Sequence, residues 1–315
     1  MASTEAGFAK LAGDVLTAPR DLGVAEVNLG AAYLQAGQIV PARQHFEAGL
    51  ARFEQAHLSD TPMALDARNN LAATLGFEGR YRDAVAQFEE TVRLRESRLG
   101  ASAALGSAWS NLAKMALAAG DIAKARAAMD QALPMLAQFV GDASPDYAAA
   151  LIGSAEIALV EGDVRRAQRE AAEAQAIAAK ALGDAHPMNA VFAAVAARAA
   201  MAGGAQDAGR SALRAAVERL AAAGPALTQQ QAQARLALAK ALVADVPDAA
   251  AGEADAIAAL PLASLPDTHP VRIEAALLAA NVRADVATRE ARLAELATQL
   301  GEAHPRVREW RQSLP

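Results

Sequence analysis

The sequence contains no cysteine, which excludes disulfides, thiolate metal sites and cysteine nucleophiles. Aromatic residues make up only 4% of the chain, although hydrophobic residues reach 53%. The difference is mostly alanine, the best helix former, whose small side chain lets helices approach closely. Such a composition suits many thin helices better than one thick core. An excess of basic charge is missing too: 30 lysines and arginines stand against 36 acidic residues, a net of −6. Nucleic-acid binders need a concentrated cationic face, so that class is not expected. The short cluster Arg165, Arg166 and Arg169 reads as a solvated helix face. Long apolar runs are lacking as well. The best stretches, 147–160 and 191–205, are broken by Glu156 and Arg198 and fall short of the roughly 18 apolar residues a membrane span needs. At the N-terminus, Glu5, Lys10 and Asp14 interrupt what would have to be the apolar core of a secretory signal. A soluble, cytoplasmic protein with no membrane partner is expected.

Constellations for chemistry are also absent. Of the five histidines, His186, His269 and His304 stand immediately before proline and His45 and His57 lie elsewhere, spread along the chain instead of gathered as metal ligands. Gly203-Gly204 is followed by no Gly-Lys-Ser element that would cradle phosphate. Glu89 and Glu90 are consecutive, so they diverge around a helix and form no acid–base pair. No serine sits in a G-x-S-x-G elbow. The expectation is no enzyme, no cofactor and no metal.

What the chain does have is internal periodicity, which decides the fold before any secondary structure is assigned. Glycine and alanine recur together as Gly37…Ala42, Gly79…Ala84, Gly120…Ala125, Gly162…Ala167 and Gly203…Ala208, the glycines 42, 41, 42 and 41 residues apart. An acidic residue precedes proline or His-Pro at Asp60-Thr61-Pro62, Asp142…Pro145, Asp184…His186-Pro187, Asp267…His269-Pro270 and Glu302…His304-Pro305. The glycine tolerates the left-handed backbone that ends a helix. The alanine permits close approach of the next helix. Proline fits only the first turn of a helix, and an acidic residue before it suits the positive helix terminus. Between these marks the apolar residues keep helical spacing, as at Leu71, Ala72 and Leu75 and then Ala84, Phe88 and Val92.

The stretches Asn28-Leu29-Gly30…Tyr33…Gly37…Ala42…Phe46 and Arg68-Asn69-Asn70-Leu71-Ala72…Gly79-Arg80-Tyr81…Ala84…Phe88…Leu99-Gly100 resemble tetratricopeptide repeats. Their length is similar to the variant of about 42 residues found in kinesin light chains and bacterial signalling proteins. Trp109, Asn111-Leu112-Ala113 and Gly120-Asp121 continue the match. The resemblance implies an all-α, right-handed superhelical solenoid of antiparallel helix pairs, about seven repeats plus a capping helix. It is divided as residues 1–21, a half-repeat or N-terminal cap; 22–216, well-matched repeats; and 217–315, degenerate repeats with a C-terminal capping helix, all one continuous solenoid. In the degenerate part, pairs are expected at 235–243 with 249–260 and at 271–284 with 289–300, and a cap at 305–313. The half-repeat at the start suggests a piece of a longer protein.

The resemblance also implies a concave face lined by the first helix of each pair. Asn28, Asn70 and Asn111 occupy equivalent places there, 42 and 41 residues apart. An amide offers both a donor and an acceptor, so a column of them can pair with a peptide backbone whatever its side chains. Helices pack about 8–10 Å apart and an extended chain advances about 3.3 Å per residue, so each asparagine would meet about every third residue of a ligand. The alternative is that these amides touch adjacent first helices and set the superhelix. The column stops at Gly153. The expected peptide-binding set is Asn28, Gln35, Asp66, Asn69, Asn70, Phe77, Ser107, Ser110, Asn111, Lys114 and Glu156. Tyr33, Phe46, Phe88 and Trp109 are expected in the core. The set lacks the cluster of lysines and arginines with which tetratricopeptide clamps hold a terminal carboxylate, only Lys114 being in place.

The function expected is therefore a protein- or peptide-binding scaffold, bacterial in kind. Two alternatives stand beside it. The alanine-rich residues 190–260 could make a homodimer, testable at Ala193 or Ala197. Or the chain could be the peptide-sensing regulatory domain of a larger protein.

Overall fold

A computed structural model describes residues 5–7 and 18–313 of the chain. The half-repeat expected at the N-terminus lies almost wholly outside these residues. From Pro19 onward the described chain consists of antiparallel helix pairs. They are α1 Pro19–Gln35 with α2 Ile39–Gln55, α3 Pro62–Phe77 with α4 Tyr81–Leu99, α5 Ala103–Ala118 with α6 Ile122–Phe139, and α7 Pro145–Glu161 with α8 Val164–Leu182. Then come α9 Met188–Ala202 with α10 Gln206–Ala222, α11 Thr228–Leu242 with α12 Pro247–Ala258, and α13 Pro270–Val282 with α14 Val286–Leu300. The helix α15 Pro305–Ser313 ends the array. Seven pairs and a cap are what the periodicity implied, and no strand occurs among the described residues.

Local chemistry explains where each helix starts. Proline opens α1, α3, α7, α12 and α13, where its missing N–H is no loss. Ser102 and Ser144 accept hydrogen bonds from the free N–H groups of Leu105 and Tyr147 at the starts of α5 and α7. Asp121, Asp163 and Asp285 do the same for the second helices α6, α8 and α14. The helix ends follow the glycines: Gly37, Gly79, Gly120 and Gly162 all have positive φ. Ala42, Ala84, Ala125 and Ala167 are fully buried between the two helices of their pairs.

The fifth pair departs by one residue. Gly204, not Gly203, carries the positive φ, and the close approach falls on buried Gly209 instead of exposed Ala208. A Cβ at Gly209 would lie 2.3 Å from Met201 Cγ. The spacing is therefore 42 here as well, and Gly203-Gly204 offered two candidates that the sequence could not separate. In the last pair the turn residue is Ala284, in the left-handed region at φ 55°. Gly76 lies inside α3, where its bare Cα accommodates Met115 of α5. Phe46 and Phe88 are fully buried as expected, whereas Tyr33 and Trp109 are only half-buried.

Successive first helices (α1, α3, α5, α7, α9, α11, α13) touch one another, while successive second helices do not come comparably close. The first helices therefore form the inner side of the curve. The curve is tight enough that the array closes on itself. The turns inside the first three pairs meet the starts of the last first helices. Ile39 donates its N–H to the Ala263 carbonyl at 3.1 Å, and Arg82 donates to the Leu300 carbonyl at 2.6 Å. His304 Nε2 lies 3.1 Å from the Ala118 carbonyl. His269 is fully buried, with Tyr81 edge-on to its ring and the Gln229 amide 3.2 Å from its Nε2. Bare glycines make this seam possible: a Cβ at Gly79 would stand 2.3 Å from Pro270 Cδ, and one at Gly120 2.7 Å from Pro305 Cδ. His269 and His304 thus have a packing role across the seam, while His186 stays exposed in its loop.

Candidate functional site

Asn28, Asn70 and Asn111 stand in register on α1, α3 and α5. Asn28 is exposed, and Asn70 and Asn111 are half-buried. None of their amides makes a hydrogen bond within the described chain, and neither does that of the neighbouring half-buried Asn69. Their donors and acceptors are unspent within the described chain.

The other expected residues separate into groups. Gln35 is exposed and Phe77 half-buried, and the two share a cavity of about 190 Å³ with Leu34, Pro225, Gln229 and Ser264, against the seam. Ser107 is half-buried. Ser110 is only 4% exposed and is packed away from the inner space, one residue round the helix from Asn111. Asp66 accepts a hydrogen bond from Arg95 of α4, a buried guanidinium that it neutralises. Glu156 on α7 pairs with Arg198 of α9 at 2.8 Å. Lys114 on α5 is half-buried and pairs with no carboxylate among the described residues.

The interruption at Gly153 has a physical cause. A Cβ there would meet Met129 Cε at 2.9 Å and Lys114 Cε at 3.3 Å. An asparagine in its place would require the flexible ends of both side chains to shift, and the stem of Lys114 occupies that side of the bare Cα.

Sequence reasoning missed a second column. Lys114, Glu156, Arg198 and Lys240 follow one another at intervals of 42 on α5, α7, α9 and α11. That spacing was visible, but the expected inner-face set was drawn only as far as Glu156. The column runs to Glu274 of α13, which is 1% exposed and accepts from Lys240 Nζ at 2.5 Å and from Trp310 Nε1 at 3.2 Å, with Arg306 Nη1 at 3.6 Å. Burial opposes the charged form of Glu274, but Lys240 and Arg306 outweigh it and hold its carboxyl below the usual range. Burial among the neighbouring helices lowers the pKa of Lys114, partly offset by the fields of Glu156 and Asp146.

A larger cleft of about 590 Å³ opens along the seam, but its charges are spent: Arg43 pairs with Glu78 at 2.8 Å and Arg80 with Asp83 at 2.6 Å. Among the described residues no group of three or more His, Asp or Glu is placed to hold a metal ion. No described helix is long and apolar enough to cross a membrane.

Comparison with known proteins agrees with this geometry. Residues 21–97 match the tetratricopeptide repeat family. No curated protein sequence matches the chain. Among solved structures, a Rap protein complexed with Competence and Sporulation Factor superposes with a TM-score of 0.62 at 11% identity, over 89% of this chain and 88% of that one. BtubC (BKLC) from P. vanneervenii gives 0.56 at 18% identity, over 70% and 89%. A putative kinesin light chain of nearly identical repeats from Podospora anserina gives 0.51 at 23% identity, over 64% and 96%. At these identities the likeness is one of fold: a helical-repeat solenoid whose residues 21–97 match tetratricopeptide repeats.

Proposed function

We propose that the chain is a protein-interaction scaffold, and that it holds an extended peptide segment along the inner face of residues 22–160. The amides of Asn28, Asn70 and Asn111 pair with the ligand backbone, and Gln35, Asn69, Phe77, Ser107, Lys114 and Glu156 flank it. The observation that carries this reading is that the three amides stand in register, one per repeat, with no partner among the described residues. The Rap protein of similar fold was solved with a bound factor, which supports use of such an array to hold a ligand. The same face would serve a peptide-sensing part of a larger signalling protein. Nothing in the inner face gathers the nucleophile, acid and base that a reaction would need.

Substitution at Ala193 or Ala197 does not isolate self-association through residues 190–260. Ala197 is 4% exposed and Ala193 packs against the C-terminal core, so large groups there would disturb the fold of one chain before they blocked a second copy.

The test is Asn70→Ala combined with Asn111→Ala, followed by partner recovery from native lysate and circular dichroism. Loss of the partner at unchanged helicity is expected. Full recovery of the partner by the double variant would remove the column from the binding face.

A further inference from the structure

The second column shows which ligand chemistry the inner face favours. The second column and its neighbours carry four cations, Lys114, Arg198, Lys240 and Arg306, and the carboxylates whose fields reach Lys114 and Arg306 include Glu156, Glu274, Asp146 and Glu309. Glu156 is engaged by Arg198 at 2.8 Å, and Glu274 by Lys240 at 2.5 Å with Arg306 beside it. Lys114 has no such counterpart. Its nearest charges, Glu156 and Asp146, lie outside ion-pair distance, and Arg306 Nη1 is buried without a hydrogen bond.

An unpaired ammonium in a partly desolvated place is costly unless an anion meets it. The fold nevertheless makes room for it, since Gly153 is bare where its register partners are asparagines, and the Lys114 stem lies over it. We infer that Lys114 receives an acidic side chain, aspartate or glutamate, from the extended protein segment held by the asparagine column. This rests on the proposed function and adds the ligand's charge to it. An internal side chain fits better than a chain end, because Lys114 is mid-face. Asn28 and Asn70 lie on one side of it along the array and Arg198 and Lys240 on the other, so a segment crossing the asparagines continues past it.

The test uses the full chain on an array of C-terminally amidated nonamer peptides. Each spot has one fixed interior residue and mixed residues elsewhere, and amidation removes end carboxylates. Spots fixed as Asp or Glu should retain the protein at least fivefold above those fixed as Asn or Gln. Lys114→Met should lose that preference, and Lys180→Met, on the exposed surface of α8, should keep it. Lys114→Met should also melt no lower than the parent, since it removes a desolvated cation; Lys114→Gln serves if methionine fails to fold. Peptides retained without acidic preference would overturn the inference and leave the binding face standing. So would a preference that survives both Lys114 variants. Retention of no peptide by the parent chain would overturn the binding face and the inference together.

Discussion

The hydroxyl of Ser264 donates a hydrogen bond of 2.8 Å to the carbonyl oxygen of Gly37, 227 residues earlier in the chain. Both residues are buried, so the pair marks a true interior contact between the beginning and the end of the array. In an open solenoid each repeat touches only its neighbours. Here the curve is tight enough that the first three pairs also support the last ones, and the inner face is roofed at the seam.

The seam predicts a difference between two glycines with like backbones. Gly120 and Gly162 have φ of 83° and 80°, but a Cβ at Gly120 meets Pro305 and His304 while one at Gly162 meets nothing within 4 Å. Alanine at Gly162 should cost about 1 kcal/mol from left-handed strain. Alanine at Gly120 should cost about 1–3 kcal/mol more through overpacking. Urea midpoints of the two variants would measure the contrast, and equal midpoints would show that the seam carries no strain.

Buried His269 makes stability depend on acidity. Burial first, then the fields of Arg306 and Arg272, lowers its pKa from 6.5 to about 3. The unfolded chain therefore binds a proton that the folded chain refuses, so stability is full above about pH 6.5 and falls as the pH drops towards 3. Between pH 7 and 5 the loss from this one group should be about 2 kcal/mol. His269→Asn keeps an acceptor for the Val271 N–H, which Nδ1 now accepts at 3.2 Å, and should flatten the pH dependence. Melting curves at pH 7 and 5 for both proteins give the comparison.

Glu274 ties three helices together, α11 through Lys240, α13 by its own backbone and α15 through Trp310. Glu274→Ala leaves Lys240 and Arg306 without their carboxylate and should cost about 3–5 kcal/mol. The cap should loosen with it. Trp310, 8% exposed in the intact chain, would then show red-shifted fluorescence well below the main transition.

Ala284 holds a left-handed turn that glycine fills in the first five pairs. Relief of that strain, about 1–2 kcal/mol, exceeds the added freedom of the unfolded chain, about 0.4–1 kcal/mol. Ala284→Gly should therefore raise stability slightly, by about 0.5–1 kcal/mol, as a higher urea midpoint.

Legibility differed between fold and face. The helix pairs in the degenerate region were placed within a few residues, apart from the longer start of α11 at Thr228, because Pro270 and Pro305 act on the backbone beside them. The asparagines were readable as a column, but their lack of partners was not. Ser110 looked available because it neighbours Asn111, yet one step of about 100° around a helix turns it inward. Arg198 and Lys240 were spaced like Lys114, but nothing local indicated that they share one interior space.

The amino-acid order alone determined the helices, their pairing, their number and the columns they carry. Each depends on interactions spanning a few residues: a proline that cannot continue a helix, a serine or aspartate that caps one, a glycine that reverses it. Only the tertiary structure decided that the array closes on itself, that His269 and Glu274 are buried, and that Lys114 stands unpaired. Those outcomes join residues 186 to 227 positions apart across the seam, or set one repeat's charge against another's. They follow from the small rotation between successive pairs, summed over the whole array, and no short stretch of sequence contains that sum.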